Sequence, residues 1–211
     1  FPGHDVRELQ SWNGRLYAEI GYADLALART WITAPLELTS GIGSLRLWLE
    51  LNGARVRSAT ADLGLVNVQT RLASDLPELA LSEVHGRLGW TQDGDRTEIS
   101  ATSFGFTAAS GLQLAPMTFS YTHSGPADGV RHYQLRLAGL DLAPVVQLAE
   151  FLPLDAALRA RLARIAPTGV VQDGDFSWDG EWGTGMPYGA RARFSGLSAR
   201  PDGALPGFQG V

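Results

Sequence analysis

The chain predicts a mainly β fold, a long antiparallel sheet with one apolar and one polar face. Three observations predict it. From Gly41 to Gly53, Leu45, Leu47, Leu49 and Leu51 alternate with Ser44, Arg46, Trp48 and Glu50. Successive side chains of a strand point to opposite faces, so this stretch is a ribbon that is greasy on one side. The leucines recur every second residue, not every third or fourth, which argues against a helix. Similar alternating runs follow one another along the chain, with Asn52-Gly53 and Asp93-Gly94 supplying hairpin turns. Only between residues 141 and 165 does the apolar spacing change to that of a helix.

Taken in order, Arg15 to Tyr22 alternates Leu16, Ala18 and Ile20 against Tyr17 and Glu19 and predicts a strand. Ala23 to Trp31 turns or makes a short helix, with Leu25 and Leu27 inward. The eight residues Ser44 to Leu51 span roughly 26 Å as a strand. Ala54 to Leu65 returns antiparallel to them, and Ser74 to Leu81 is a Pro-containing connection. Leu81 to Trp90 places Val84, Leu88 and Trp90 on one side, and Arg96 to Phe106 pairs back. Met117 to Thr122 and Arg131 to Leu137 are two more strands, divided by a polar loop from His123 to Gly129. Asp141 is placed to cap a helix carrying Leu142, Val145, Leu148, Ala149 and Leu152, with Pro144 in its first turn and Pro153 beyond. Asp155 is placed to cap a second, with Leu158, Leu162 and Ile165 on one side. Both helices are expected to bury their leucines on the sheet or across it. Val170 to Trp178 and Tyr188 to Leu197 read as the last two strands, around a Gly- and Trp-rich loop from Asp179 to Pro187.

Asp24, Asp62 and Asp141 each sit in an Asp-Leu pair after a small or apolar residue, 38 and then 79 residues apart. That is close to one and two units of about 39, and fixed-period similarity is the mark of a repeat architecture.

Composition narrows the function classes. The formal charge of −5 opposes nucleic-acid binding, which selects basic surfaces. There is no cysteine, which excludes disulfides, thiolate metal sites and cysteine nucleophiles. There is no lysine either, so Schiff-base and P-loop chemistry are excluded and all seventeen basic residues are arginine. No run of about twenty apolar residues occurs. The chain opens on Phe1-Pro2-Gly3 and stops at Pro206 to Val211 as if approaching another strand, the expectation for a piece of something longer.

The sequence carries no recognisable catalytic motif, and the expectation is that it is not an enzyme. His4, His85, His123 and His132 have no metal-ligand spacing, so no metal and no cofactor are expected. Asp173 to Asp179 approaches a calcium loop, but Trp178 stands where the sharp turn needs glycine. Neither Gly-x-Ser-x-Gly nor a strand-borne Gly-x-Gly-x-x-Gly is present. Arg46, Arg55, Arg57, Arg87, Arg136, Arg191 and Arg193 recur on the polar side of strands. Two readings are open for them: a site for phosphate or a sugar acid, or a charged outer face that protects a long sheet from aggregation. Trp12, Trp48 and Trp182 leave a carbohydrate-binding reading open as well.

Several short motifs occur in an order that resembles the AsmA-like superfamily, in its YhdP branch of very long envelope proteins. They are Gly43-Ser44-Leu45-Arg46-Leu47-Trp48-Leu49, Ala61-Asp62-Leu63, Leu76-Pro77-Glu78-Leu79 and Leu81 to Leu88. Leu140-Asp141-Leu142, Leu152-Pro153-Leu154, Pro167-Thr168-Gly169, Phe176-Ser177-Trp178 and Pro206-Gly207 follow. The resemblance covers nearly the whole chain from about Gly41.

It implies that residues 1–211 are an internal segment of a longer repetitive protein, with residues 141–165 as a helical insertion. The implied sheet curls into a long groove, apolar inside and polar outside. The implied function is conduction of phospholipid across the periplasm between inner and outer membranes, in a parent protein anchored in the inner membrane. On that reading the groove residues are Leu45, Leu47, Leu49, Leu51, Leu88, Trp90, Phe119, Tyr121, Leu135, Leu137, Ala192 and Phe194. Alternation alone suits a closed sandwich core equally well, so an envelope module with a closed core and a protein partner stands as the alternative.

Overall fold

In a computed structural model, the residues described are 13–25, 37–53, 55–126, 129–180, 187–203 and 206–210. Ten strands run along them: β1 (Gly14–Asp24), β2 (Glu37–Asn52), β3 (Arg55–Arg71), β4 (Leu79–Asp93), β5 (Arg96–Ala108), β6 (Gln113–Ser124), β7 (His132–Ala138), β8 (Leu140–Asp141), β9 (Thr168–Asp179) and β10 (Tyr188–Ser198). Two helices, α1 (Leu142–Leu148) and α2 (Ala156–Ile165), stand between β8 and β9.

All ten strands form one antiparallel sheet in the order β1-β2-β3-β4-β5-β6-β7-β9-β10, with β8 paired to the start of β9. Sequence neighbours are spatial neighbours, so the sheet is a meander. β1 and β10 are its two ends and do not pair with each other, so it is not closed into a barrel. The predicted strands are all present, and several are longer than the alternation alone marks. β3 has 17 residues, up to about 56 Å of extended chain.

The two tight turns sit one residue later than the Asn-Gly and Asp-Gly pairs suggest. Asn52 pairs with Arg55 and Asp93 pairs with Arg96. The corners therefore begin at Gly53 (φ +58°) and Gly94 (φ +56°). In the first, a bulge leaves Arg57 out of the ladder just before the corner closes. In the second, glycine takes the first corner position, as a II′ turn requires. Between β6 and β7 the strand extends through His123 and Ser124, which the sequence placed in the loop. Leu79 to Leu81 likewise belongs to β4 rather than to the Pro77 connection. The turn or short helix expected from Ala23 to Trp31 lies outside the described residues beyond Leu25, Leu27 included, as does the stretch 181–186 of the last loop.

The hairpin corners near 53, 94, 125 and 180 share one end of the sheet. The other end holds the connection from β3 to β4, the turn from β5 to β6, and the helices. The core sits at this helical end. Leu65 and Val68 of β3, Leu79, Leu81 and Val84 of β4, Phe106 and Ala108 of β5, and Leu114 and Met117 of β6 pack there with Leu25 and Leu148.

Irregularities cross the strands at the boundary of this core. Register shifts fall after Ile20 on β1, around Ser40 on β2, after His85 on β4 and after Ala101 on β5. A bulge bends its strand and sharpens the twist. Two glycines make this packing possible. A Cβ on Gly43 would lie 2.1 Å from the Gly64 carbonyl oxygen. Gly86 has φ +140°, and a Cβ there would lie 2.7 Å from the Phe104 Cα.

Both predicted helix caps form. The Asp141 carboxylate accepts from the Ala143 N–H, and that of Asp155 from the Leu158 N–H. α1 is shorter than expected and stops at Leu148. The Phe151 N–H then closes a tighter i→i+3 bond on the Leu148 carbonyl. The expectation for α2 is overturned, because none of its residues is buried and Leu158 is 36% exposed. Arg161 and Arg164 hold it beside Asp202, at 3.5 and 3.0 Å, rather than on the sheet.

The 39-residue echo does not mark equivalent positions. Asp24 ends β1, Asp62 lies in the middle of β3 and Asp141 caps α1. Asp62 is there for a different reason, its pairing with Arg87 on the polar face.

Candidate functional site

Strand register decides which side chains share a face, because residues directly opposite one another point the same way. One row crosses the sheet as Ala18, Leu47, Ala61, Leu88, Ala101, Phe119, Leu137, Gly174 and Ala192. The next row toward the hairpin end is Leu16, Leu49, Ala59, Trp90, Ile99, Tyr121, Leu135, Phe176 and Ala190. Leu45 pairs with Ile20 and Leu63 on the helical side of these rows, and Leu51 pairs with Gly14 on the hairpin side. Phe194 faces Val171 beyond a bulge at the β10 edge. The register thus brings all twelve sequence-selected residues onto one apolar face.

That face has two parts. None of the twelve belongs to the buried core. Leu88 and Phe194 are 36% and 38% exposed, and the others are half-buried. Phe119 and Leu137 form the border, since both pack against the core cluster from outside. Toward the hairpin end, the face is apolar without a second layer among the described residues. Toward the helical end it continues into the closed core.

Aromatic rings gather near the hairpin end. Tyr133 stacks on Trp178 with centroids 5.4 Å apart and planes 10° from parallel. Tyr121 approaches both, at 6.4 and 6.3 Å, and His123 lies 6.1 Å from Tyr133. Tyr121 and Trp178 stand two strands apart, about 9.6 Å at the usual spacing. Their rings lean together as side chains do on the concave side of a sheet. Burial, and then the neighbouring Tyr133, push the Tyr121 phenol up from its ordinary value. The His132 ring nitrogen lies 2.6 Å from an Asp179 carboxylate oxygen on the rim.

The opposite face is polar and laced with ion pairs. Arg46 Nε donates to Glu19 at 3.0 Å, and Arg15 Nε donates to Glu50 at 2.8 Å. Arg87 grips Asp62 with two bonds of 2.5 and 2.7 Å. Arg136 lies 3.3 Å from Asp175, and Arg57 bonds Asp93. These pairs lower carboxyl pKa values: Arg87 does so at Asp62, the Tyr17 hydroxyl and then Arg46 at Glu19, and Gln134 with Arg136 at Asp175. Arg46, Arg57, Arg87 and Arg136 are therefore already engaged by carboxylates of neighbouring strands. This favours the reading of a charged outer face over that of a phosphate site. Trp48 lies on this side, 37% exposed, with Tyr17 at 5.3 Å and the Arg87 guanidinium over its ring at 5.7 Å. Trp12 and Trp182 lie outside the described residues.

Among the described residues, no group of three or more His, Asp or Glu is placed to hold a metal ion. No described helix is long and apolar enough to cross a membrane. Sequence reading missed Ile99, Ala101, Phe176 and Trp178 as members of the apolar face, although the same alternation marks them. It also missed the division of the face, because alternation looks alike under a lid and beside an opening.

A family model described as YhdP protein matches residues 3–211. No curated protein and no solved structure matches the chain.

Proposed function

The chain belongs to the YhdP family, and on that premise we propose that its apolar face is a track for phospholipid acyl chains, in a segment that carries lipid between the inner and outer membranes. The observation that carries this reading is the placement of twelve apolar residues in adjoining rows on one face, none of them in the buried core. A face left half-exposed over so many strands calls for an apolar occupant.

The physical need is large. Drawing one acyl chain of about sixteen methylenes through water costs roughly 13 kcal/mol at ~0.8 kcal/mol each, and every ~1.4 kcal/mol is a factor of ten in rate. A shielded apolar surface removes most of that barrier without chemistry. No catalytic group is required, and the segment acts as a conduit rather than an enzyme. The ion-paired face stands toward the aqueous periplasm, with the parent protein anchored in the inner membrane. No nucleic acid enters this function, and its partner is phospholipid.

A second reading has one observation in its favour. The closed core at the helical end is what an interaction module without lipid would have throughout. Charge placement separates the two. Leu49→Arg puts a cation on the track at a half-buried position, whereas Thr102→Arg puts one on the exposed outer face. In the full-length protein, transfer of labelled phospholipid between the membranes is expected to fall with Leu49→Arg and stay unchanged with Thr102→Arg. Equal transfer by both variants, each folded, overturns the conduit.

A further inference from the structure

We propose that the helical insert between β8 and β9 is a movable stopper that closes one end of the apolar face and uncovers a longer track when it swings away. The proposal rests on the lipid-track reading above and concerns its regulation.

The face does not end where the track becomes covered. Along β6, Tyr121 and Phe119 continue into Met117, and along β4, Trp90 and Leu88 continue through Gly86 into Val84. Met117 and Val84 are buried, and Leu148 packs in the same cluster. Leu140, Phe151 and Leu152 lie against that cluster from outside. The insert therefore places Leu148 in a cluster whose members on β4 and β6 continue the face of the open track.

Its attachment allows it to leave. β7 pairs directly with β9 from His132↔Asp179 to Leu137↔Gly174, so the sheet is complete without the insert. The chain departs and returns at a single point, where Asp141 pairs with Val170. Gly139 and Gly169, with φ +76° and +106°, flank that point, and Ala166 ends α2 in a left-handed conformation. Beyond this pivot, the contacts of the insert among the described residues are concentrated in α1 and the turn after it. They are the buried Pro144, Leu148 and Ala149, half-buried neighbours that include Val145, Phe151 and Leu152, and a polar latch. The latch consists of Arg161 and Arg164 on Asp202, plus the Arg200 N–H donating to the Ile165 carbonyl at 2.8 Å. α2 has no fully buried residue, with Leu162 and Ile165 half-buried, and its ties to the rest of the chain include this latch.

The test uses the full-length protein in cells. A diazirine amino acid close to methionine in size replaces Met117, under the stopper, or Leu47, on the open track. Phospholipid adducts are counted with the native insert and with Leu148→Ser. Adducts at Met117 are expected to be scarce in the native insert and to rise about tenfold in Leu148→Ser, the factor given by ~1.4 kcal/mol of lost closure. The yield at Leu47 is expected to stay the same. If Leu148→Ser fails to fold, Leu152→Ala at the half-buried edge of the cluster makes the same test with the same direction.

Adducts at Leu47 with none at Met117 in any folded variant mean a permanent core and overturn the stopper alone. Native Met117 adducts as abundant as those at Leu47, unchanged by either variant, overturn it as well. The absence of adducts at Leu47 overturns the track itself and the stopper with it.

Discussion

Truncating two leucines of the same strand separates an open track from a dry core by thermodynamics alone. Leu81 and Leu88 both lie on β4 and both face the apolar side, but Leu81 is 7% exposed within the core and Leu88 is 36% exposed on the track. Leu→Ala removes three carbons, about 2.4 kcal/mol of transfer free energy at ~0.8 each when burial is complete. For Leu81, nearly all of this is lost, and the cavity left in a packed cluster raises the total to about 3–4 kcal/mol. For Leu88, about two thirds of the transfer is lost. No closed cavity forms, because solvent already reaches the site, and the total is about 1.5 kcal/mol. In a domain of this size ~1 kcal/mol moves Tm by about 2–4 °C. Leu81→Ala should therefore melt roughly 6–16 °C below the parent, and Leu88→Ala roughly 3–6 °C below it. Urea unfolding of the delipidated chain supplies the same comparison through its midpoint. Equal losses of 3 kcal/mol or more at both positions would refute the division of the face and place Leu88 in a closed interior.

The remaining predictions concern the scaffold. Gly86→Ala combines a φ of +140° with a 2.7 Å approach to the Phe104 backbone, and should destabilise by about 2–4 kcal/mol, read by urea unfolding. Gly14→Ala, where a Cβ meets nothing within 4 Å, should stay within about 1 kcal/mol of the parent in the same assay. On acidification, Asp62, Glu19, Asp175 and Asp202 act together, because their partners lower each carboxyl pKa in the folded chain. A carboxyl depressed on folding contributes stability that is present above its unfolded pKa and lost as pH falls through the folded one. Stability should therefore decline below the ordinary carboxylate range. In Arg87→Ala, a carboxyl-detected NMR titration should find Asp62 titrating at higher pH than in the parent, and an unchanged titration would contradict the pairing.

The face assignment was legible in the sequence, and the covering of that face was not. Leu45 through Leu51 announce a strand because period two is a local property, and the register then carries the same face to Leu135 and Ala192. The caps Asp141 and Asp155 were legible for a similar reason, since a cap needs only its own neighbours. That Val84 is buried while Leu88 is 36% exposed depends on residues far along the chain that join the core cluster, Leu25 and Leu148 among them. Alternation holds no information about that contact. The same limit explains α2. Its leucine spacing is that of a buried helix, but Asp202, which holds it off the sheet, is a lone acidic residue near the end of the chain. The turns erred by one residue because the residue at which a hairpin closes is set by the pairing register of both strands, and a bulge such as the one that leaves Arg57 out of the β2–β3 ladder has no mark in composition.

Photocrosslinking at neighbouring positions of β2 tests the central claim most directly. A photoreactive residue replaces Leu47 on the apolar face or Arg46 on the ion-paired face, in the full-length protein in cells. Phospholipid adducts at Leu47 and none at Arg46 are the predicted result. Adducts at neither position with the protein folded, or equal adducts at both, would contradict a lipid track on this face.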